Sequence, residues 1–375
     1  MSRIRVGVVG VGHLGQHHAR IFNGIEGVEL VGVADTRPRQ ARAVAERLGT
    51  RAFDHYRDLV GLVDAISVAV PTALHREVTG AFLSQGIATM VEKPLAATLA
   101  EAEELVGLAR KFAAILQVGH IERFNPALSA LEGMALRPRF VTAERLSTHT
   151  FRSTDIGVVL DLMIHDIDLL LSLVSAPVMS VAAVGVSVFG GHEDIANARI
   201  EFEDGCVANL DASRASFQAT RKMRLYGAEG YVSLDFATKQ GTLIRPSEPL
   251  RRGEIELEGV DMTKPEAIKE QIFGKILRVD QVQTEGREPL ALELEDFIQA
   301  VRGQSRPRVS GEDALRAMRL ADQILRSLNA HKWKEADQQP AEPASAAQQG
   351  HTLRGPLSWR LQGQRSSSTS TNPGS

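Results

Sequence analysis

The sequence predicts an α/β protein of two domains. The first is a doubly wound parallel sheet, and the second is an α+β domain with an open, mostly antiparallel sheet. Up to residue 120, short apolar runs alternate with helically spaced segments, which is typical of repeated βαβ units. From residue 121 onward, strand-like runs follow one another with hairpin signals between them. The 375 residues also exceed the length of one average domain.

Each element of the first domain, residues 1–120, is predicted from its own pattern. Apolar runs as long as buried parallel strands lie at Ile4–Val9, Glu29–Ala34, Ala65–Val70, Thr89–Val91 and Ile115–Val118. Helical spacing lies between them at Gly15–Phe22, Arg39–Leu48, His75–Gln85 and Leu99–Lys111. The last helix should begin after Thr98, because Glu101 three residues further on completes a capping box.

The second domain, residues 121–331, is predicted from denser strand signals. Strand-like runs lie at Phe140–Leu146, Val178–Val188, Ala196–Phe202, Val207–Ser213, Lys222–Tyr226 and Tyr231–Phe236. Turn residues at Glu203–Gly205 and Gly227–Gly230 indicate hairpins. Helices are predicted at Leu292–Val301 and, after Ser310, at Gly311–Leu328. Residues 332–375 lack periodicity and are rich in small and polar residues, so a disordered tail is expected.

The turn after the first predicted strand carries a nucleotide-binding pattern. It reads Gly10-Val11-Gly12-His13-Leu14-Gly15, which is the G-x-G-x-x-G spacing. The glycines permit the turn, the close approach of a pyrophosphate and the packing of helix on strand. Asp35 ends the second strand, where a carboxylate accepts from a ribose 2′-hydroxyl and repels a 2′-phosphate. NAD is therefore predicted over NADP, although Arg37 nearby could accommodate that phosphate.

Two further strand exits should line the cofactor cleft, because ligands bind beyond the carboxyl ends of parallel strands. One is Val70-Pro71-Thr72-Ala73-Leu74-His75, in which Thr72 is expected to contact the cofactor and His75 fits a structural role equally well. The other is Val91-Glu92-Lys93-Pro94. Ammonium groups are rarely buried unless they are paired or take part in chemistry. Lys93 is therefore a candidate for proton transfer, and a solvated lysine in a strand-end turn is the alternative.

The segment Val158–Val174 is apolar nearly all round, so a buried helix is predicted. It nevertheless carries Asp161, His165 and Asp168, whose spacing places them on one face, whereas Asp166 points elsewhere. Charged groups on a buried helix are costly unless they are paired or line a cavity. They indicate either a His/Asp pair that faces a cleft or one core histidine held by an aspartate. In the first case, Asp161 would orient the imidazole of His165 or the substrate.

Composition and charge exclude several classes of protein. A net charge of -3 without a long Lys/Arg block argues against a nucleic-acid surface. The single cysteine, Cys206, excludes an internal disulfide and suits a reducing compartment as a small core residue. No apolar run is long enough to span a membrane, and no signal peptide is recognised, so a cytoplasmic protein is expected. His13, His17 and His18 are interpreted as helix-start and surface residues, and no metal site is predicted.

The glycine-rich turn, Pro71 with His75, Glu92-Lys93-Pro94 and Asp161-x-x-x-His165 occur in an order that resembles the Gfo/Idh/MocA family of NAD(P)-dependent sugar and inositol oxidoreductases. The resemblance covers roughly residues 1–330. It implies a Rossmann domain and then an α/β domain whose open sheet carries oligomer contacts, so a homodimer or homotetramer is expected. It also implies that Lys93 lies at the nicotinamide with His165 opposite. A cis peptide bond before Pro94 is expected, because the family turns sharply there.

Within that family, the run from Val118 to Pro126 (VGHIERFNP) resembles the branch that acts on nucleotide-activated amino sugars, the UDP-N-acetylglucosamine 3-dehydrogenases. The run Glu288–Leu294 also fits that branch. An arginine and an amide at the domain junction can grip hydroxyls or phosphate oxygens, so Glu122, Arg123 and Asn125 are candidate substrate-binding residues. The alternative is a linking turn held by ion pairs.

The function expected from these features is NAD-dependent oxidation of a ring hydroxyl of a nucleotide-activated sugar, with UDP-N-acetylglucosamine oxidised at C3. The hydride would leave for the nicotinamide, and the hydroxyl proton would go to Lys93 or His165. An inositol or free-sugar dehydrogenase of the same family is one alternative. A non-catalytic NAD-binding sensor or scaffold is the other, although it would not need Lys93, Asp161 and His165 together.

Overall fold

The structure is a computed structural model that describes residues 3–131, 134, 136–148, 156–189, 191–254, 266, 269, 272–283 and 286–333. Both sheets belong to one unit that ends at His331. The second unit begins at Lys332 and is described only at its first two residues, so the predicted tail lies outside the described residues from residue 334 on.

The first sheet has six parallel strands in the order β3-β2-β1-β4-β5-β6, the doubly wound order that the βαβ pattern predicts. The strands are β1 Ile4–Val9, β2 Val28–Ala34, β3 Arg51–Phe53, β4 Ala65–Val68, β5 Ala88–Glu92 and β6 Leu116–Gly119. The helices are α1 Gly15–Phe22, α2 Pro38–Leu48, α3 His75–Leu83 and α4 Leu99–Lys111. The capping box of Thr98 and Glu101 is confirmed at the start of α4.

The second sheet has eight strands in the order β14-β13-β12-β11-β7-β10-β9-β8, and only the pair β7–β10 is parallel. Its strands are β7 Phe140–Leu146, β8 Val178–Val186, β9 Ile195–Phe202, β10 Val207–Ser213, β11 Thr220–Gly227, β12 Gly230–Asp235, β13 Gln240–Pro246 and β14 Leu277–Gln283. The predicted hairpins β9–β10 and β11–β12 are confirmed. Cys206 is buried in the first of them.

The helices of this part are α5 Ile164–Leu173, α6 Glu248–Arg252, α7 Pro289–Val301 and α8 Gly311–Ala330. Helix α8 begins with a second capping box, Ser310 with Asp313, and packs against β8, α5 and α4. Helix α7 packs against α1, where the rings of Phe22 and Phe297 lie 6.4 Å apart. The two sheets are therefore joined by buried helices, and the carboxyl ends of β4, β5 and β6 face the start of α5.

Candidate active site

The glycine-rich turn has the shape that a bound dinucleotide requires. Gly10 adopts φ +81°, and a Cβ there would lie 2.6 Å from the carbonyl oxygen of Ala69. A Cβ on Gly15 would lie 1.8 Å from the carbonyl oxygen of Gly10, so a side chain at either position would displace the backbone. At Gly12 a Cβ would meet only Arg37 Nη2, at 3.6 Å, which leaves that side of the loop open to a ligand. The turn therefore fits NAD.

A cleft of about 640 Å³ lies beside this turn, and His13, Leu14 and Asp35 contribute to its wall. The carboxylate of Asp35 is fixed at the end of β2: Oδ2 accepts from the backbone N–H of Val11 at 3.0 Å, and Oδ1 accepts from the backbone N–H of Arg37 at 2.9 Å. The guanidinium of Arg37 also donates to Oδ1, at 3.2 Å. The acidic group is therefore held at the edge of the cleft where the sequence places it.

The loop after β4 brings Thr72 to the wall of a second cavity, of about 310 Å³, together with Glu92, Lys93 and Asp161. His75 also lies at the wall of this cavity, although its side chain is buried. Its Nδ1 lies 2.8 Å from the carbonyl oxygen of Pro94 and its Nε2 lies 3.0 Å from that of Val70. Burial lowers the pKa of His75 although both carbonyls favour its charged form. This geometry favours the structural role, in which His75 ties the two strand exits together.

Lys93 is paired at the point where the two sheets meet, and the alternative of a solvated lysine is wrong. Its Nζ donates to the backbone carbonyl of Asp161 at 2.6 Å and to Oδ1 of the same residue at 2.9 Å. Both side chains keep about one fifth of their surface exposed to the cavity, 19% and 20%. The peptide bond between Lys93 and Pro94 is cis, as predicted.

The predicted helix Val158–Val174 is present, but its first turn is π-helical, Val159–Met163, and regular α5 begins at Ile164. The carbonyl and the carboxylate of Asp161 both accept from Lys93 in that turn. Among the described residues no hydrogen bond joins Asp161 to His165, and the carboxylate of Asp161 accepts from Lys93 instead. The role predicted for Asp161, to orient the imidazole or the substrate, stays a prediction. Asp166 points away from the cavity, as predicted, and pairs with Arg145.

His165 lies half-buried against the ring of His120, with the ring centroids 6.2 Å apart and the planes at 89°. Burial lowers the pKa of His165 well below its usual value, and the charges of Lys93 and Arg145 lower it further. His165 is therefore uncharged in the folded protein. His120 could not be singled out from the sequence, because a lone histidine after a strand has no pattern of its own.

Glu92 is held by a buried histidine that the sequence interpretation placed on the surface. His18 is 1% exposed, with Nε2 3.0 Å from Glu92 Oε1 and Nδ1 2.8 Å from Ser67 Oγ. Burial by itself would raise the pKa of Glu92, but His18 and Lys93 beside it hold that pKa below its usual range. His18 lies on the inward face of α1. The ionised carboxylate of Glu92 therefore forms part of the cavity wall next to Lys93.

The candidate substrate residues after β6 take part mainly in a buried ion network. Arg145 donates to Glu122 Oε1 at 2.8 Å and, through two nitrogens, to Asp166 at 2.8 and 2.9 Å. Asn125 donates to Glu122 Oε2 at 2.9 Å and to the carbonyl of Phe236 at 3.0 Å. For Glu122 and Asn125 the structure favours the alternative of a linking turn held by ion pairs. Arg123 donates to the carbonyl of Arg308 at 3.2 Å and lies 3.9 Å from Asp168.

Glu293 on α7 is a carboxyl group with no exposed surface, and within the described part of the chain neither of its oxygens has a hydrogen-bond partner. Burial raises its pKa well above the usual value, and the acidic Glu92, Asp296 and Asp168 raise it further. Glu293 is therefore protonated in the folded protein. In the unfolded chain it ionises at about pH 4.3.

Replacing Glu293 with glutamine should stabilise the protein at neutral and alkaline pH. Above the unfolded pKa the folded state holds one proton more than the unfolded state, so the free energy of unfolding falls as the pH rises. Glutamine cannot ionise, and Glu293→Gln should raise the free energy of unfolding by about 1–3 kcal/mol at about pH 8 and much less at about pH 5. Urea unfolding at both pH values measures this. An equal effect at the two would contradict a protonated Glu293.

Two further observations bear on the class of protein. No helix in the described ranges is long and apolar enough to cross a membrane. Nor do three or more His, Cys, Asp or Glu side chains of the described residues come together in a group that could hold a metal ion.

A glycine-rich turn over parallel strands, an acidic residue at the end of β2 and a paired lysine at the exit of β5 are features of an NAD-binding dehydrogenase. The chain belongs to the Gfo/Idh/MocA family: the model of the oxidoreductase family's NAD-binding Rossmann fold matches residues 4–120, and that of its C-terminal alpha/beta domain matches residues 138–335. It is therefore an NAD-binding oxidoreductase, and the family resemblance is confirmed.

Its relatives include a UDP-N-acetylglucosamine 3-dehydrogenase of Acidithiobacillus ferrooxidans, 36% identical over 80% of this chain and 90% of that protein. A crystal form of the Acidithiobacillus enzyme superposes with a TM-score of 0.76 at 34% identity, covering 88% of this chain and 99% of that one. A scyllo-inositol 2-dehydrogenase (NAD(+)) of Bacillus subtilis is 26% identical over 83% of this chain and 90% of that protein.

Proposed function

We propose that this protein oxidises a ring hydroxyl of a nucleotide-activated sugar with NAD, and that its substrate is UDP-N-acetylglucosamine, oxidised at C3 to the 3-keto sugar. The observation that carries the chemistry is the pairing of Lys93 with Asp161 at the wall of the cavity beside the nucleotide cleft. Support for the substrate comes from the likeness to the Acidithiobacillus enzyme, which exceeds the likeness to the inositol dehydrogenase by ten percentage points of identity.

The groups that would hold NAD are the turn Gly10–Gly15 for the pyrophosphate, Asp35 for the adenosine ribose, and Thr72 with Glu92 near the other end. Bound NAD would supply the acceptor for the hydride that leaves C3. His13 and Leu14 line the same cleft and would contact the cofactor through backbone and apolar surface.

The hydroxyl proton would leave to a side chain of this protein. Lys93 would take it as the free amine, once Nζ has released one proton to solvent; the two N–H groups that remain can keep both hydrogen bonds to Asp161, which hold Nζ at the cavity wall. Uncharged His165 would share the proton with Lys93 or orient the sugar. Arg123, which is half-buried beside Asp168, remains a candidate for binding hydroxyls or phosphate oxygens.

The substrate assignment is tested by measuring NADH formation with UDP-N-acetylglucosamine, free N-acetylglucosamine and myo-inositol in parallel, with hydroxylamine present to trap a ketone. The proposal predicts turnover with the UDP-sugar and little with the other two. Turnover of myo-inositol or the free sugar in preference to the UDP-sugar would establish the alternative within the family.

We also propose that the protein is a homodimer or homotetramer that associates through the open sheet. Apolar side chains stand exposed on β8 and its neighbour, at Met179, Val186 and Ile195. The rings of Phe140, Tyr226 and Tyr231 form a stacked row across β7, β11 and β12, with centroids 5.5 and 4.8 Å apart. Light scattering at micromolar concentration should give two or four times the 40.7 kDa of one chain. The mass of a monomer would contradict this.

A further inference from the structure

Three buried polar atoms without a hydrogen-bond partner among the described residues belong to the region after β6 and to α5: Nδ1 of His120, Nδ1 of His165 and Oδ2 of Asp168. Buried polar atoms are nearly always hydrogen-bonded, and each one left unpaired costs about 1–3 kcal/mol. Three such atoms on residues that face one another indicate a cluster kept for a reason other than stability.

The three residues come from two elements that the fold brings together. His120 directly follows β6 and is 1% exposed, and Asp168 lies on α5 and is 2% exposed. The ring of His120 meets the ring of His165 edge-on, 6.2 Å between centroids. The carboxylate of Asp168 acts electrostatically on His120 and is 3.9 Å from Nε of Arg123. His120 is therefore in contact with His165 on one side and under the influence of a buried carboxylate on the other.

We propose that His120 is a positioning residue for His165: its ring, packed edge-on against the ring of His165, fixes the orientation of the catalytic imidazole. A catalytic histidine is commonly held by a third group in this way. The proposal rests on the proposed function of His165. The group that it serves is the reacting hydroxyl of the sugar, whose proton a neutral and correctly turned imidazole can accept.

The charges around the cluster set the direction of the expected effects. Besides His120, the cations Lys93, Arg145 and Arg221 face His165, and all four lower its pKa in addition to burial. Burial lowers the pKa of His120 as well, Asp168 and Glu92 raise it, and Lys93 and Arg123 lower it. Removing the nitrogens of His120 takes away one of the groups that keep His165 uncharged.

The test uses His120→Phe, which keeps an edge-on ring without nitrogens, and His120→Ala, which removes the ring. In His120→Phe, a ¹⁵N NMR titration of the full-length protein should show a higher pKa for His165, and the acid limb of kcat should move to higher pH.

His120→Ala should lower kcat by about 10²-fold, because a catalytic group that moves by about 1 Å loses that much activity. Neither variant should change NAD affinity. His17→Phe alters a similar edge-on pair, with His13, 5.9 Å between centroids, and serves as the control.

The same substitutions in a His165→Ala background separate the possible causes. If His120 acts through His165, His120→Phe has no further effect on kcat there. An unchanged titration of His165 in His120→Phe, or an equal loss of kcat with and without His165, would overturn the proposal. A loss of activity that only follows a loss of thermal stability would show a merely structural role. If His165→Ala alone retains full turnover, the proposed function of His165 fails, and the titration still decides whether His120 governs its protonation.

Discussion

Replacing Lys93 with methionine should lower turnover by about 10²–10⁴-fold while NAD affinity changes little. Proton transfer by a positioned side chain contributes about that factor in rate. Methionine keeps most of the length of lysine but loses the ammonium that bonds to Asp161 at 2.6 and 2.9 Å. The turn Gly10–Gly15 and Asp35, which would hold the adenosine half of the cofactor, lie at the other cavity.

Steady-state kinetics and NAD titration of Lys93→Met measure the two effects separately. Lys111→Met, at the exposed end of α4, is the matched control, since its ammonium only rests on the ring of Phe112. His165→Ala should also lose turnover, but less, because Lys93 lies at the wall of the cavity on the proposed cofactor side. Near-normal turnover of Lys93→Met with the preferred substrate would contradict the proposed role of Lys93 and return Glu92-Lys93-Pro94 to a plain turn.

The second large effect is expected on stability. Arg145→Met should lower the free energy of unfolding by about 3–5 kcal/mol, because it leaves the carboxylates of Glu122 and Asp166 buried without their cation. Burial alone would lower the pKa of Arg145, and the two carboxylates raise it above its usual value, so the guanidinium is charged throughout.

Urea unfolding at neutral pH measures this loss. Arg224→Met is a matched control on the neighbouring strand β11, since Arg224 pairs with Glu144 at 3.4 Å with both side chains about one third exposed. An exposed pair of that kind contributes about 0–1 kcal/mol. A loss in Arg145→Met no larger than that of the control would show that the network does not hold the linking turn.

The fold could be predicted where local pattern and tertiary structure agree. The strands β1, β7 and β10 and the helices α1 and α4 have the predicted bounds, since apolar runs and caps mark their ends. Three strands were missed. Arg51–Phe53 is a short edge strand with little apolar surface, and Gln240–Pro246 and Leu277–Gln283 mix polar residues into their alternation. Pairing rather than composition makes the last two into strands, since Gln240–Pro246 pairs with β12 and Leu277–Gln283 pairs with Gln240–Pro246.

The candidate site, like the fold, could be predicted only where a local motif marks the residue. Gly10–Gly15, Asp35 and Lys93 stand in local motifs, so their positions could be predicted. The partners His18, His120 and Arg145 could not, because their contacts join residues far apart in the chain: Arg145 meets Glu122 over 23 positions and Asp166 over 21. The π-helical turn was also not predicted, since its apolar pattern is that of an ordinary helix. Asp161 lies in this turn, and its carbonyl accepts a hydrogen bond from Lys93.

The most direct test of the proposed reaction uses UDP-N-acetylglucosamine that carries deuterium at C3, with NAD as the acceptor and hydroxylamine as the ketone trap. Mass spectrometry of the nicotinamide product and of the trapped sugar then locates the label. Oxidation at C3 predicts that the deuterium appears in NADH and is absent from the sugar, and that Lys93→Met slows both changes together. Deuterium retained in an oxidised sugar, or NADH formed without label, would contradict hydride transfer from C3.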